Sequence, residues 1–296
     1  MPLAATPGRR LRWKNWIHFA GVVEGLPPGR NPFPVPPAAA SRYSGAMKAL
    51  SMGDRIRAGA YSVLTRYRRS LLLAGRDGRL LFIVDRSIGP GPLNIVVSRP
   101  DRFLPGDAFR LPPWPTAPRF NSSLPRLDRT ARARLMTTLQ AALPRFAPPD
   151  SLVSLMTSPG TLPPRQTARD QRIRRGLLHI SSEQLAAGVR LLRGCGEGLT
   201  PAGDDFLCGL MLAGRLLRRP ALARAMLPHA LGSNPVANAF LNLSAEGRVN
   251  IAVQRLLQAP SPARVRAVCA FGHSSGADLL CGLLWGLAPM SSFPER

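Results

Sequence analysis

Between about residues 55 and 115 the apolar positions come in short runs, each closed off by glycine, proline or Asp-Gly. Ser70-Leu71-Leu72-Leu73-Ala74 and Leu80-Leu81-Phe82-Ile83-Val84 flank Arg76-Asp77-Gly78-Arg79. Asp-Gly between two such runs is a strong hairpin signal. Gly89-Pro90-Gly91-Pro92 then breaks the chain before Leu93-Asn94-Ile95-Val96-Val97. The spacing predicts a small β-rich domain over 47–120, with Pro112, Pro113, Pro115 and Pro118 as a linker out of it.

Beyond about residue 125 the apolar spacing becomes helical. Ser181-Ser182-Glu183-Gln184 offers a capping box with Ser181 at the cap, opening a helix through Leu185, Val189 and Leu192 that stops at Gly194. Thr200-Pro201 predicts the next start, a capping hydroxyl followed by a proline in the first turn, and that helix should run to about Arg219 before Pro220. Asn234-Pro235 and Ser261-Pro262 repeat the device. The fold class is therefore α+β, a small β-rich N-terminal domain followed by a larger all-helical domain over 121–296 with at least five helices. Residues 1–46 differ from both. They carry eight prolines, clustered around Pro27-Pro28 and residues 32–37, and no periodicity. Such a segment cannot bury a core of its own. It reads as a disordered head, or as an over-long start with Met47 as the first true residue.

Inside the helical part, two stretches say nearly the same thing. Gly203-Asp204-Asp205-Phe206-Leu207-Cys208-Gly209-Leu210 recurs 73 residues later as Gly276-Ala277-Asp278-Leu279-Leu280-Cys281-Gly282-Leu283. Each follows a loop of small and polar residues: 194–201 before the first, and Gly272-His273-Ser274-Ser275 before the second. Two similar loop–helix units packed face to face would bring their loops and carboxylates to one end of a helix pair. Only 16 residues of the chain are acidic, yet Glu197, Asp204 and Asp205 fall within nine positions.

Glycines permit positive φ, so a loop with Gly194, Gly196 and Gly198 can turn several N–H groups toward one point. A helix start adds free amides and a positive dipole end. The expected ligand is an anion such as phosphate or carboxylate, held by Gly196, Gly198, Thr200, Gly203, Ser274 and Ser275. Asp204 and Asp205 would accept N–H bonds from a substrate amide or hold a divalent cation. His273 is the candidate for proton transfer, with Asp278 close by in sequence. Plainer readings stand beside these. First-turn acids complement the helix dipole, His273 can be a satisfied buried side chain, and Gly209, Gly214, Gly282 and Gly286 let helices approach closely.

Charge alters the picture less than its size suggests. The net charge of +24 invites a nucleic-acid reading. Yet all but two of the 40 basic residues are arginines, the exceptions being Lys14 and Lys48. They are spread along the chain rather than gathered in one arm, and aromatics at 6% do not interleave with them as a stacking platform requires. Cys195, Cys208, Cys269 and Cys281 show no metal-ligand spacing. They read as buried free thiols, with Cys195 the one placed in a loop where it could react. No segment is long and apolar enough to span a bilayer, and the N-terminus is a poor signal peptide. The expected setting is the reducing cytoplasm.

Residues 196–207, Gly-x-Gly-Leu-Thr-Pro-x-Gly-Asp-Asp-Phe-Leu, resemble the signature of the AllH family. So do residues 272–283, Gly-His-x-Ser-Gly-x-Asp-Leu-Leu-x-Gly-Leu, together with Ser244-Ala245-Glu246-Gly247 and residues 91–97. The resemblance spans roughly residues 50 to 290. It implies a subunit of oxamate carbamoyltransferase, acting with FdrA-like and AllG-like subunits to convert oxalurate and phosphate into oxamate and carbamoyl phosphate in allantoin catabolism, a branch of purine degradation. The second unit departs from the first at Ala277, where the first has an acid. Two other readings compete: a basic nucleic-acid-binding protein, and a non-catalytic scaffold or ligand-sensing subunit.

Overall fold

The computed structural model describes residues 49–98, 100, 107–112, 117–156 and 167–288. The proline-rich head, Met47, His18, Lys14, Lys48, Pro113 and Pro115 lie outside the described residues. The fold is α+β. A curled seven-stranded sheet is built from β1 (Ala49–Gly53), β2 (Gly59–Arg66), β3 (Ser70–Gly75), β4 (Leu80–Val84), β5 (Asn94–Val97), β6 (Ala108–Leu111) and β7 (Arg119–Phe120). Their order across the sheet is β6-β2-β3-β4-β5-β1-β7. The expected hairpin joins β3 to β4 in antiparallel register, Leu72 opposite Phe82, with Gly78 at φ 78° in the turn.

The near-continuous apolar runs of β3 and β4 follow from burial on both faces of the sheet. Leu71, Leu73, Leu81, Ile83, Ile95 and Val97 point into one cluster enclosed by the curl of the sheet, with Met52, Tyr61 and Val63. Leu72, Ala74, Phe82, Val84 and Val96 point the other way, where Val236, Leu199 and Phe240 of the helical part cover them. Phe82 and Phe240 stack with ring centroids 5.9 Å apart. Pro112 and Pro118 do not lead out of the sheet as a linker. They lie between β6 and β7, which are its two opposite edges, and β7 pairs parallel with β1.

The helices that follow are α1 (Arg129–Phe146), α2 (Val153–Met156), α3 (Ala168–Ser181), α4 (Leu185–Leu192), α5 (Ala202–Leu216), α6 (Pro220–Ala230), α7 (Pro235–Ala245), α8 (Ile251–Gln258), α9 (Pro262–Cys269) and α10 (Ser275–Leu287). Asn234 accepts from the amides of Val236 and Ala237, and Ser261 from that of Arg264, so both cap-then-proline starts are as expected. Two starts differ. Ser181 is the last residue of α3 rather than the cap of α4, because apolar Ile173, Gly176 and Ile180 carry α3 through to it. The capping box belongs to Thr167 and Asp170 at the other end of α3, and α4 begins after Gln184 without a side-chain cap. Thr200 does not cap α5 either; Pro201 holds that position, and α5 ends at Leu216. Pro220 does not terminate α5 but opens α6.

α5 is buried on every side, as an apolar helix at the centre of a domain must be. Its main neighbour is α10. The two run parallel, with Thr200 against Ser275 at their starts and Ala213 against Gly286 farther along. Where they cross, backbone meets backbone. A Cβ on Gly209 would lie 2.0 Å from the Leu279 carbonyl oxygen, and one on Gly282 would lie 1.9 Å from that of Phe206. Gly214 is different, with nothing nearer than 3.4 Å to its would-be Cβ, so it plays no part in this crossing.

Candidate functional site

A parallel helix pair places two positive dipole ends side by side. At that point the chain puts Thr200, Ser275 and Asp205. The Thr200 hydroxyl donates to Asp205 Oδ2 at 3.0 Å, and Thr200 Oγ1 and Ser275 Oγ are 2.9 Å apart. Thr200 and Ser275 are part-exposed, while Asp205 behind them is buried. Burial pushes Asp205 well above the usual carboxylate range; the Ser275 and Thr200 hydroxyls oppose this, and the nearby Asp278 and Asp204 carboxyls add to it. The three side chains form a hydroxyl pair backed by a carboxyl that favours its protonated form.

Asp204 and Asp278 flank this group but turn elsewhere. Asp204 accepts the Gly194 amide at 2.8 Å, closing the glycine loop onto the first turn of α5. Burial raises its pKa to about 6, against the lowering effects of the Gly194 N–H, Arg193 and Arg172. Asp278 is fully buried, and its Oδ1 accepts the Leu152 amide at 2.7 Å from the start of α2. Its Oδ2 makes no hydrogen bond among the described residues; the Ser274 hydroxyl lies near without bonding geometry. Burial raises Asp278 to about 6 as well.

A buried acid with a raised pKa stabilises the fold only while protonated. Stability from Asp278 is therefore full near pH 4, declines as pH rises, and is lost through pH 6. The shift corresponds to about 3 kcal/mol. Asp278→Asn keeps an acceptor for Leu152 without the charge. The variant is expected to gain stability relative to the parent between pH 4 and 7, by up to that amount. Urea denaturation at pH 4.5 and 7.5 measures it, and an unchanged difference between the two pH values would contradict it.

The glycine loop has the expected backbone, with Gly194, Gly196 and Gly198 at φ 63°, 123° and 100°. Part of its donor capacity is used internally: Gly203 donates to Cys195 O, and Asp204 and Asp205 both donate to Pro201 O. Among the described residues the amides of Gly196 and Gly198 make no such bond. Gly203 serves contact, since a Cβ there would lie 2.0 Å from Leu192 O. The turn before α10 is shorter, with Gly272 at φ 63° and Ser274 at the cap position without a side-chain bond. His273 is 82% exposed and pairs through Nε2 with Asp150 Oδ2 at 2.7 Å. It is not gathered with Thr200, Ser275 and Asp205, nor is it buried.

The candidate residues thus divide into buried acids and a surface pair, His273–Asp150. Sequence reasoning missed Asp150 and the Leu152 amide, which no motif marks. Among the described residues no three His, Cys, Asp or Glu side chains group so as to hold a metal ion. Adjacent Asp204 and Asp205 diverge to different partners, which is why they do not form one. All four cysteines are buried free thiols, Cys195 included, and burial raises the Cys195 thiol. Many arginines serve helix ends: Arg132 donates to Leu216 O, Arg172 to Leu191 O and Arg193 O, and Arg193 to Leu231 O.

The stretch holding α5, α10 and both loops can be compared with known families. Residues 192–287 match the AllH family model, oxamate carbamoyltransferase subunit AllH. Neither a curated protein nor a solved structure matches the chain. The AllH match opens at the end of α4 and closes at the end of α10, so it contains every candidate residue that the sequence marked, while Asp150 and Leu152 lie before it. AllH points to a subunit of an oxamate carbamoyltransferase, and hence to a multi-subunit complex. No helix among the described residues is long and apolar enough to cross a membrane.

Proposed function

We propose that this protein is a subunit of an enzyme that transfers a carbamoyl group between a ureido acid such as oxalurate and phosphate, working with FdrA-like and AllG-like subunits in the cytoplasm. The AllH match carries this reading, because it spans the helix pair on which the hydroxyl–carboxyl group sits. In the forward direction a phosphate oxygen attacks the terminal carbamoyl carbon. The bond from that carbon to the oxamate nitrogen breaks, and the nitrogen takes a proton. Phosphate is itself the nucleophile, so the protein's task is to position the reactants and stabilise the developing oxyanion.

Support for specific roles comes from placement. Thr200 and Ser275 are the part-exposed hydroxyls at the paired helix starts; a protonated Asp205 that donates to Thr200 Oγ1 frees the Thr200 proton for a carbamoyl oxygen or a phosphate oxygen. Asp205, biased toward its protonated form, orients Thr200 and supplies the proton reserve behind it. Gly196 and Gly198 offer free amides to the anion. Asp204 and Asp278 hold the loop and α2 in register with the helix starts.

The test is co-expression with the FdrA-like and AllG-like proteins of the same organism, followed by an assay of phosphate-dependent oxalurate cleavage. Turnover that disappears when this chain is omitted is the expected result; a complex that turns over without it would end the proposal. One observation favours a scaffold instead: Asp204 and Asp278 each spend a carboxylate oxygen on a backbone amide, that of Gly194 and that of Leu152. A scaffold predicts that variants at Thr200, Asp205 and Ser275 assemble and turn over normally.

A further inference from the structure

At the opposite end of α5 from Asp205, roughly 16 Å away by the rise of the helix, lies a second feature. A cleft of about 250 Å³ is lined by Arg126, Arg215, Arg218 and Arg248, with Ser123, Gly247 and one acid, Glu246, between them. Its walls are fixed by backbone bonds, from the Leu124 amide to Gly247 O and from the Val249 amide to Ser122 O. Glycine at 247 leaves room for Arg215, whose Nε would be 3.2 Å from a Cβ there.

The carboxylates nearby are already engaged. Asp54 takes Arg248 and the Ser122 hydroxyl, and Glu246 takes Arg55. Among the described residues the Arg215 guanidinium reaches only the Glu246 backbone carbonyl. The guanidiniums of Arg126 and Arg218, both exposed, have no hydrogen-bond or ion-pair partner among the described residues. Arg248 Nε is buried without a partner. Several guanidiniums around one small cleft repel one another until an anion enters.

The backbone gives an independent sign. α5 ends in a Schellman motif, with Arg219 N–H bonded to Gly214 O and Arg218 N–H to Arg215 O. The residue that must turn left-handed is Arg218, at φ 58°. That position ordinarily takes glycine, and another residue there is strained. The strain places a partner-free guanidinium at the rim of an arginine-lined cleft.

We propose that this cleft is a binding site for a small oxyanion, of phosphate or carboxylate type, separate from the carbamoyl-transfer site and independent of that reading. Its volume suits a compact anion rather than a nucleotide. Arg218 and Arg126 are the side chains that close on the ligand, while Arg248 and Arg215 form its floor.

Arg218→Gly separates binding from folding, because glycine relieves the strained backbone while removing the guanidinium. The experiment follows the melting temperature of the full chain as inorganic phosphate, or separately oxalate, is added at constant ionic strength. The parent is expected to melt higher with one or both anions, a phosphate-only or oxalate-only rise naming the class. Arg218→Gly and Arg126→Gln should each need at least tenfold more anion for the same rise, with no loss of melting temperature in its absence. Arg175→Gln, an exposed arginine of α3 outside the cleft, should respond as the parent does. Equal responses in parent and arginine variants, or in chloride at the same ionic strength, would overturn the proposal. So would loss of the response in Arg175→Gln alone.

Discussion

Gly282→Ala is expected to destabilise the protein by about 3 kcal/mol or more, the scale of severe overpacking where neither side can yield. The added methyl would lie 1.9 Å from Phe206 O and 2.8 Å from Phe206 C, and both are backbone atoms of a helix buried on all sides. A flexible side chain could swing away; a helix backbone can only shift as a unit, carrying Asp204, Asp205 and the Thr200 contact with it. Gly209→Ala should behave alike, since its methyl would meet Leu279 O at 2.0 Å. Gly214→Ala, on the same helix, provides the contrast. Its nearest neighbour would be at 3.4 Å, an ordinary contact, so the gain in helix propensity should leave it neutral or more stable by up to about 1 kcal/mol. Chemical denaturation of the three variants checks the set. Equal effects at 214 and 282 would show that the α5–α10 crossing is looser than these distances.

Asp205→Ala is expected to lower turnover of the assembled complex about 10²- to 10³-fold, in the range seen when a positioned acid or oxyanion donor is removed. The Thr200 hydroxyl loses its acceptor at Oδ2, and Ser275, 2.9 Å from Thr200, loses its fixed neighbour. Folding should survive, because an acid whose pKa is raised by burial is itself a cost to stability once it ionises. Asp205→Asn retains an acceptor for Thr200 but supplies no proton, so its activity should fall between the parent and Asp205→Ala. His273→Ala should act more weakly, since that side chain stands in solvent paired with Asp150. The readout is oxalurate cleavage by complexes checked for equal composition. Full activity in Asp205→Ala would leave the scaffold reading in place.

What the sequence determined by itself is local. Asp77-Gly78 between two apolar runs specified the β3–β4 hairpin, and Asn234-Pro235 and Ser261-Pro262 specified two helix starts, because each signal acts within a few residues of chain. The repeated Gly-x-Asp pattern also marked α5 and α10 and the stretch that matches AllH. Tertiary structure decided what each polar group does. Thr200 has the sequence of a helix cap, but the approach of Ser275 and the burial of Asp205 direct its hydroxyl to the carboxyl instead. His273 stands two residues before Ser275, which opens α10, and faces solvent, because α10 buries Gly276, Ala277 and Asp278 and leaves the preceding turn outside. The arginine cleft joins residues near 125, 215 and 247 that share no motif. A hydrogen bond or an unpaired charge depends on where distant segments meet in space, and periodicity along one chain carries no record of that.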